Sequence, residues 1–291
     1  MFDKAQLAAL SAVIRLGSFD AAAAALSVTP SAISQRIKAL EERTGTTLVR
    51  RATPCTATDT GARLARHFQD ISLLDKALAE ELGEVTAPTH LRIAVNADSL
   101  ATWFLPALAG HDLLYDLLID DQDHSADWLR NGEVSAAITS DAGPVQGCDS
   151  FPLGALEYRA TASPAFAQRH FPNGITPEAL TTAPALVFNK KDALQSRWLS
   201  HHAGKPVSLN AHHIASSHAF VDACLLGLGW GMNPSHLVDD LIKTGKLIDL
   251  GDPLLTPLHW QISRLVARPL STVTAAIRTQ AKAELLPLHS D

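Results

Sequence analysis

Cysteine is scarce. The 291 residues hold three, Cys55, Cys148 and Cys224, far apart and odd in number, so a disulfide framework is not expected. Each is read first as a buried, inert thiol, with redox sensing as the alternative. Long apolar runs are missing too: none approaches the roughly 18 residues that a membrane span requires. Residues 1–10 show no cationic stretch followed by a long apolar core, so no signal peptide is expected. These absences point to the cytoplasm and away from a membrane. Catalytic signatures are lacking as well. With no G-x-S-x-G, phosphate loop or HExxH, no enzyme is expected. Gly227, Gly229 and Gly231 make a G-x-G-x-G, but it precedes an expected strand instead of opening a helix, so it is no dinucleotide fingerprint. Thirteen histidines are present, yet neighbours such as His212 and His213 would point to opposite faces of a strand. No clear cysteine or carboxylate set completes a tetrahedral site, so neither a metal nor a cofactor is expected.

What is present is an ordinary globular composition, 46% hydrophobic and 19% charged, at a length suited to two or three domains. The net charge of −6 argues against a nucleic-acid binder until it is divided along the chain. Residues 1–66 contain nine Lys/Arg and five Asp/Glu, a net of +4, and the remainder carries −10. A basic head on an acidic body suits a protein in which only the head meets phosphate; random fluctuation would give the same split.

In residues 5–16, Leu7, Leu10, Val13 and Ile14 recur at helical spacing. Gly17 stops this helix, and Ser18 caps a short alanine-rich one to about residue 26. Thr29 is the expected N-cap of a third helix, which starts at Pro30, runs to about residue 43 and turns Ile33, Ile37 and Leu40 inward. Residues 46–57 read as a hairpin with a basic tip. Thr58 caps a long helix expected over 59–83, on which Leu64, Phe68, Ile71, Leu74, Leu78 and Leu82 form a narrow apolar stripe. Such a stripe needs a partner, either a second copy of itself or another part of its own chain. Residues 85–90 read as a linker. Strands and helices then alternate, with strands at 91–95, 117–119 and 134–139 and helices at 99–108 and 126–131, which implies a parallel sheet with helices on both faces. Residues 152–163 cross into a second lobe, with strands at 186–188, 213–215 and 231–233 and a helix at 218–226. A strand at 260–266 returns, and an amphipathic helix over 271–286 closes the chain.

The first three helices have the build of a helix-turn-helix, which lays the N-terminal part of its second helix in the major groove. Pro30, Ser31, Ser34 and Gln35 are placed to meet base edges, with Thr29 beside them on the DNA-binding surface; glutamine suits bidentate contact with adenine, and serine serves several bases. Arg36, Lys38, Arg50 and Arg51 are placed to meet phosphates, which supply affinity but little specificity. A small helical bundle with a solvated face shares this periodicity.

The run FDAAAAALSVTPSAISQRIKALEERTGTTLVRR at 19–51, followed by TATDTGARL at 56–64, resembles the LysR-type transcription regulators, and the likeness spans the entire chain. NADSLATWFLPAL (96–108), FPNGIT (171–176), SSHAF (216–220), GLGWGMNP (227–234) and GKLIDL (245–250) resemble the ArgP/LysG subgroup, which regulates basic amino-acid export. The resemblance implies an N-terminal all-α winged helix-turn-helix over 1–58 and a long dimerising linker helix over 59–88. It implies a C-terminal α/β two-lobed periplasmic-binding-protein-like effector domain over 89–291, one lobe taking about 89–160 and 267–291 and the other about 161–266. Implied partners are double-stranded promoter DNA, a second chain or a tetramer, and RNA polymerase as a further candidate. The implied effector is lysine or arginine, with a different amino acid or metabolite as the alternative. The rival classes, an α/β enzyme and a solute-binding protein, have no use for a basic three-helix head.

In such a domain the ligand lies between the lobes, near strand ends and helix N-termini. Ser99, with Asn96 and the adjacent backbone N–H groups, could hold a carboxylate there, assisted by Thr102; a plain helix cap is the other reading of Ser99, and it could be both. Thr139 ends a later strand of the same lobe. Asn189, Asp192, Ser216 and Ser217 come from the second lobe. A basic amino acid also needs anionic groups. Asp98, Asp120, Asp121 and Asp192 are available, and Asp121 is placed by the strand before it; a cap or solvated loop is the ordinary role for each. Trp230 either lines the cleft or fills the core.

Overall fold

The computed structural model describes residues 2–84, 88–120, 125–203 and 207–288. Asp121 and residues 85–87 of the expected linker lie outside these.

The chain begins with three capped helices. Asp3 accepts a hydrogen bond from the Gln6 N–H to open α1 (Lys4–Leu16). Ser18 caps α2 (Phe19–Ala25), and Thr29 caps α3 (Pro30–Thr44), with Pro30 in its first turn, where the missing N–H costs nothing. Leu7, Leu10, Val13, Ile33, Ile37 and Leu40 meet in one buried cluster, each contributing about 1.5–3 kcal/mol by leaving water. The expected hairpin is a small antiparallel wing of β1 (Val49–Arg50) and β2 (Thr56–Ala57). Thr58 caps α4 (Asp59–Glu81), which ends slightly earlier than the stripe suggested. That stripe divides. Leu64 and Phe68 pack on the three-helix head, whereas Leu74, Leu78 and Leu82 are 45%, 57% and 69% exposed.

The body continues with β3 (Thr89–Val95), α5 (Ala97–Thr102), a 3-10 turn (Leu105–Leu108), β4 (Leu113–Ile119), α6 (Ser125–Arg130), β5 (Ala136–Thr139) and β6 (Cys148–Ala162). Then come α7 (Pro164–His170), α8 (Pro177–Thr182), β7 (Ala185–Val187), α9 (Leu194–Ala203), β8 (Ala211–His213), α10 (Ser217–Leu225) and β9 (Gly231–Pro234). The chain finishes with α11 (Ser235–Lys243), β10 (Ile248–Asp249), β11 (Leu254–Ser263) and α12 (Ser271–Glu284). One seven-stranded sheet runs in the order β10-β6-β11-β5-β3-β4, with β9 added on β6. β3 is parallel to β4 and β5. β6 and β11 are antiparallel along most of their lengths, because one carries the chain out of the first lobe and the other brings it back. The strands expected to be parallel are so, and the same sheet gains an antiparallel part from β6 and β11. Each lobe also has a small core of its own: Ala94, Ala126, Leu129 and Val134 in the first, Leu186, Phe220, Cys224 and Val238 in the second.

Other boundaries move for local reasons. Thr89 and His90, read as linker, pair with β4. The helix expected over 99–108 breaks after Thr102, and Pro106 falls in the 3-10 turn, since it has no N–H for a continuing helix. The returning strand starts at Leu254 and contains Pro257, a residue that masks a strand signature. Val266 is buried beyond the end of that strand.

Candidate effector cleft and nucleic-acid interface

On the head, α3 turns its exposed side to solvent in the pattern the sequence implies. Ser31, Gln35 and Lys38 are exposed, and Ser34 and Arg36 are partly covered. The Thr29 hydroxyl accepts from the Ala32 N–H at 3.2 Å and lies 2.9 Å from the Ser31 hydroxyl, so it fixes the start of the helix. Lys38 lies 3.7 Å from Glu42, one turn on. Arg50 sits on the first wing strand, and Arg51 follows it with its guanidinium 4.9 Å above the Phe19 ring. The Arg51 guanidinium is thus held against the start of α2. This surface is cationic, rigid at its start and open.

The cleft lies where the end of β3 faces the second lobe. Asn96, Ala97, Asp98 and Asp120 line it from the first lobe. Phe188, Asn189, Asp192, Ser217, Phe220 and Asn233 are among those lining it from the second. Its open space, mouth included, is about 490 Å³. Two carboxylates of the first lobe reach across. Asp98 accepts from the Ser217 hydroxyl at 2.6 Å and, on its other oxygen, from the Tyr158 hydroxyl at 2.8 Å. Asp120 accepts from the Lys191 ammonium at 3.0 and 3.2 Å and from the Trp128 indole at 2.9 Å. The lobes are therefore closed on each other through two anions.

Asn96 is the unusual member. It is 2% exposed, and neither its Oδ1 nor its Nδ2 has a hydrogen-bond partner among the described residues. A buried amide with both ends unmatched is costly unless something else supplies partners. Asn233, 1% exposed, donates to the Thr161 hydroxyl at 2.9 Å while its Oδ1 is likewise unmatched. The cleft wall thus offers one donor and two acceptors beside two carboxylates.

Other expected residues are placed differently. Ser99 is fully buried, and its hydroxyl accepts from the Trp103 indole at 3.1 Å. It braces the helix behind the cleft and does not line it. Thr102 donates to the Asp98 carbonyl at 2.6 Å, a link one turn back along its own helix. Thr139 donates to the Asp141 carbonyl and accepts from the Gln261 amide, anchoring the exposed loop that follows β5, away from the cleft. Ser216 is exposed and caps α10. Trp230 is fully buried, with its indole donating to the Leu180 carbonyl and its ring 5.7 Å from that of Trp198, so it belongs to the core. Asn189 and Asp192 do line the cleft, but their oxygens hold the turn they occupy. Asn189 accepts from the Lys191 and Asp192 N–H groups, and Asp192 accepts from those of Phe188 and Leu194.

Sequence reasoning passed over Lys191, Tyr158 and Asn233, and it favoured Asp121 over its neighbour Asp120. Asp120 directly follows the end of β4, and that strand-end position was the available signal. Lys191 and Asn233 gave none, because they depend on how the second lobe folds over the first. Burial pushes the Cys224 thiol up to about 11, so it stays a protonated, unreactive group beside Asn233. Among the described residues no cluster of three histidine, cysteine or carboxylate side chains could hold a metal, and no helix is long and apolar enough to cross a membrane.

Comparison with known proteins agrees with this division. Residues 5–62 match the profile of bacterial regulatory helix-turn-helix proteins of the lysR family. Residues 86–286 match the LysR substrate binding domain. The transcriptional regulator LysG of Mycobacterium tuberculosis strain H37Rv is 43% identical over 283 residues, which is 96% of this chain and 93% of that protein. The crystal structure of ArgP from Mycobacterium tuberculosis superposes with a TM-score of 0.82 at 41% identity, covering 99% of this chain and 100% of the other. Full-length LysG from Corynebacterium glutamicum with bound effector arginine superposes with a TM-score of 0.68 at 34% identity, covering 98% and 100%. The basic helix-turn-helix, the long helix and the two-lobed body therefore make one assembly, and the chain belongs to the LysR-type family of DNA-binding transcription regulators, of the ArgP and LysG type.

Proposed function

We propose that this regulator senses lysine or arginine in the cleft between its lobes and, in response, controls transcription of a basic amino-acid exporter gene. The observation that carries the reading is the buried, unmatched Asn96 amide set beside the Asp98 and Asp120 carboxylates. A basic amino acid carries one carboxylate and two cations. Its carboxylate can accept from the Asn96 Nδ2, and its α-ammonium can donate to the Asn96 and Asn233 oxygens or to Asp98. Its side-chain cation then finds Asp120. The unmatched Asn96 donor gains an acceptor, and both cations of the ligand gain acceptors on the wall. The arginine bound in the related LysG structure supports this class of ligand, and the subgroup resemblance supports the export gene.

The DNA contacts fall to Thr29, Pro30, Ser31, Ser34 and Gln35 at base edges and to Arg36, Lys38, Arg50 and Arg51 at phosphates. A second copy covers the exposed Leu74, Leu78 and Leu82 of α4, so paired heads meet paired half-sites. A protein that meets a promoter and RNA polymerase works in the cytoplasm. The deciding experiment is a footprint on the region beside the regulator's own gene, with and without arginine or lysine. Protection that changes on adding either amino acid, and not on adding alanine, is the expected result. Protection indifferent to both would refute basic amino-acid sensing.

A further inference from the structure

Lys191 is not needed to hold its turn, since the side chains of Asn189 and Asp192 do that with backbone N–H groups. Its own side chain, 52% exposed, reaches over the cleft to Asp120, whose side chain is 14% exposed. A carboxylate that far from water requires a cation, and in this closed arrangement the protein supplies one from the opposite lobe. The Asp120 carboxylate that Lys191 holds lines the same cleft as the unmatched Asn96 amide. In the sensing function proposed above, that carboxylate is the partner of the ligand's side-chain cation.

We propose that Lys191 is a tethered competitor for the ligand's side-chain cation at Asp120, and so sets both the affinity of the sensor and its margin between charged and neutral ligands. The inference rests on the sensing function proposed above. Binding is then an exchange of one ion pair for another. The ligand's cation gains Asp120, while Lys191, already half in water, swings out on its flexible stem at little cost. A ligand with a neutral side chain leaves the Lys191–Asp120 pair in place and gains only the contacts at Asn96, Asn233 and Asp98. Without the Lys191 ammonium, the ligand's cation would meet Asp120 with no tethered charge to displace.

Titration calorimetry on the full-length chain tests this with L-arginine, L-lysine and L-citrulline, the last a neutral match to arginine in shape. Lys191→Met keeps the length of the side chain and removes its charge. It is expected to bind arginine and lysine about two- to five-fold tighter, the scale of a partly exposed ion pair, and citrulline no tighter than wild type. Lys191→Arg restores a competitor and is expected to return arginine binding to the wild-type range. Thermal melting of both variants confirms that they fold. Arginine binding by Lys191→Met that equals or falls below that of wild type overturns the exchange while leaving the sensor reading intact. Citrulline gaining as much as arginine overturns it too, since it marks simple opening of the cleft. No heat from wild type with either basic amino acid overturns the sensor reading and the exchange with it.

Discussion

Gly61→Ala should unlatch the wing, although glycine to alanine inside a helix is ordinarily stabilising. Gly61 lies in the first turn of α4, and a Cβ built there would stand 2.0 Å from the Leu48 carbonyl oxygen and 2.9 Å from its carbon. A carbon–oxygen contact needs about 3.3 Å, so the backbone of the wing would have to retreat by more than about 1 Å. Leu48 cannot retreat freely. Its side chain is fully buried, its N–H donates to the Glu41 carboxylate at 2.8 Å, and its carbonyl accepts from the Thr58 N–H at 3.0 Å. Overpacking costs about 1–3 kcal/mol and the strained hydrogen bond about 1 kcal/mol, against about 1 kcal/mol gained in helix propensity. The balance is a loss of about 2 kcal/mol from the head. All five tryptophans, Trp103, Trp128, Trp198, Trp230 and Trp260, lie in the body, so their fluorescence follows the body alone and should be unchanged. Amide hydrogen exchange in α1 and α3 reads the head, and protection there should fall about thirty-fold. Gly45→Ala is the control: nothing lies within 4 Å of its added Cβ, and its φ of +69° sets the cost at about 1–2 kcal/mol with the wing undisturbed. Undiminished protection in Gly61→Ala would refute the close approach of α4 to the wing.

Two further outcomes follow from charges. Asp70 on α4 is buried, and burial holds its carboxyl above the usual range, opposed by the Arg66 guanidinium and the Ser135 hydroxyl. A carboxyl raised in the folded state contributes stability that is full below about pH 4 and is lost as pH rises through the raised value. Asp70→Asn keeps an acceptor for Ser135, so it should be more stable than wild type at neutral pH and lose that advantage in acid, as read by urea unfolding at the two pH values. A less stable variant at neutral pH would mean that attraction to Arg66 outweighs burial. On the DNA side, Arg36→Ala should flatten the plot of log affinity against log salt by about 0.9 for each phosphate contact removed. An unchanged slope would remove Arg36 from the interface.

The head was legible because its signals are local. Ser18, Thr29 and Thr58 each cap the helix that follows, and Leu7, Ile33, Ile37 and Leu40 lie on the inner faces that their spacing implies. The body was harder to read. α7, α8 and α9 are short or weakly patterned, α11 was passed over although its pattern is clearly amphipathic, and the antiparallel partnership of β6 and β11 joins residues about a hundred positions apart. Asn96 and Asp98 could be found in sequence because they follow a recognisable strand. Ser99 could not be separated from them, since a helix cap, a brace for Trp103 and a ligand contact ask for the same residue type. Trp230 stood between core and cleft until its indole met the Leu180 carbonyl.

The way α4 is fastened constrains how a bound ligand can reach DNA. Lys4 of the head pairs with Asp75. Toward the body, the Ser135 hydroxyl donates to Asp70 at 3.1 Å, Lys76 donates to Asp112 at 2.9 Å, and Arg268 donates to Glu81 at 2.7 Å. All these body partners belong to the first lobe, which also contains β3, the strand that follows α4. The head, α4 and the first lobe are thus tied in series, while the cleft anions join that unit to the second lobe. Within one chain, opening or closing the cleft moves the second lobe and leaves the head where it was. A signal therefore needs another chain for the second lobe to push against, and the head responds only through the assembly. Leu78→Asp tests this. Leu78 is 57% exposed on α4, so the charge should cost the single chain little, whereas in a paired helix it would be buried without a partner. The variant should sediment as a monomer, bind arginine in calorimetry with an affinity near that of wild type, and hold an operator fragment weakly with no response to arginine. A monomer whose DNA binding still changes with arginine would show that the signal travels inside one chain.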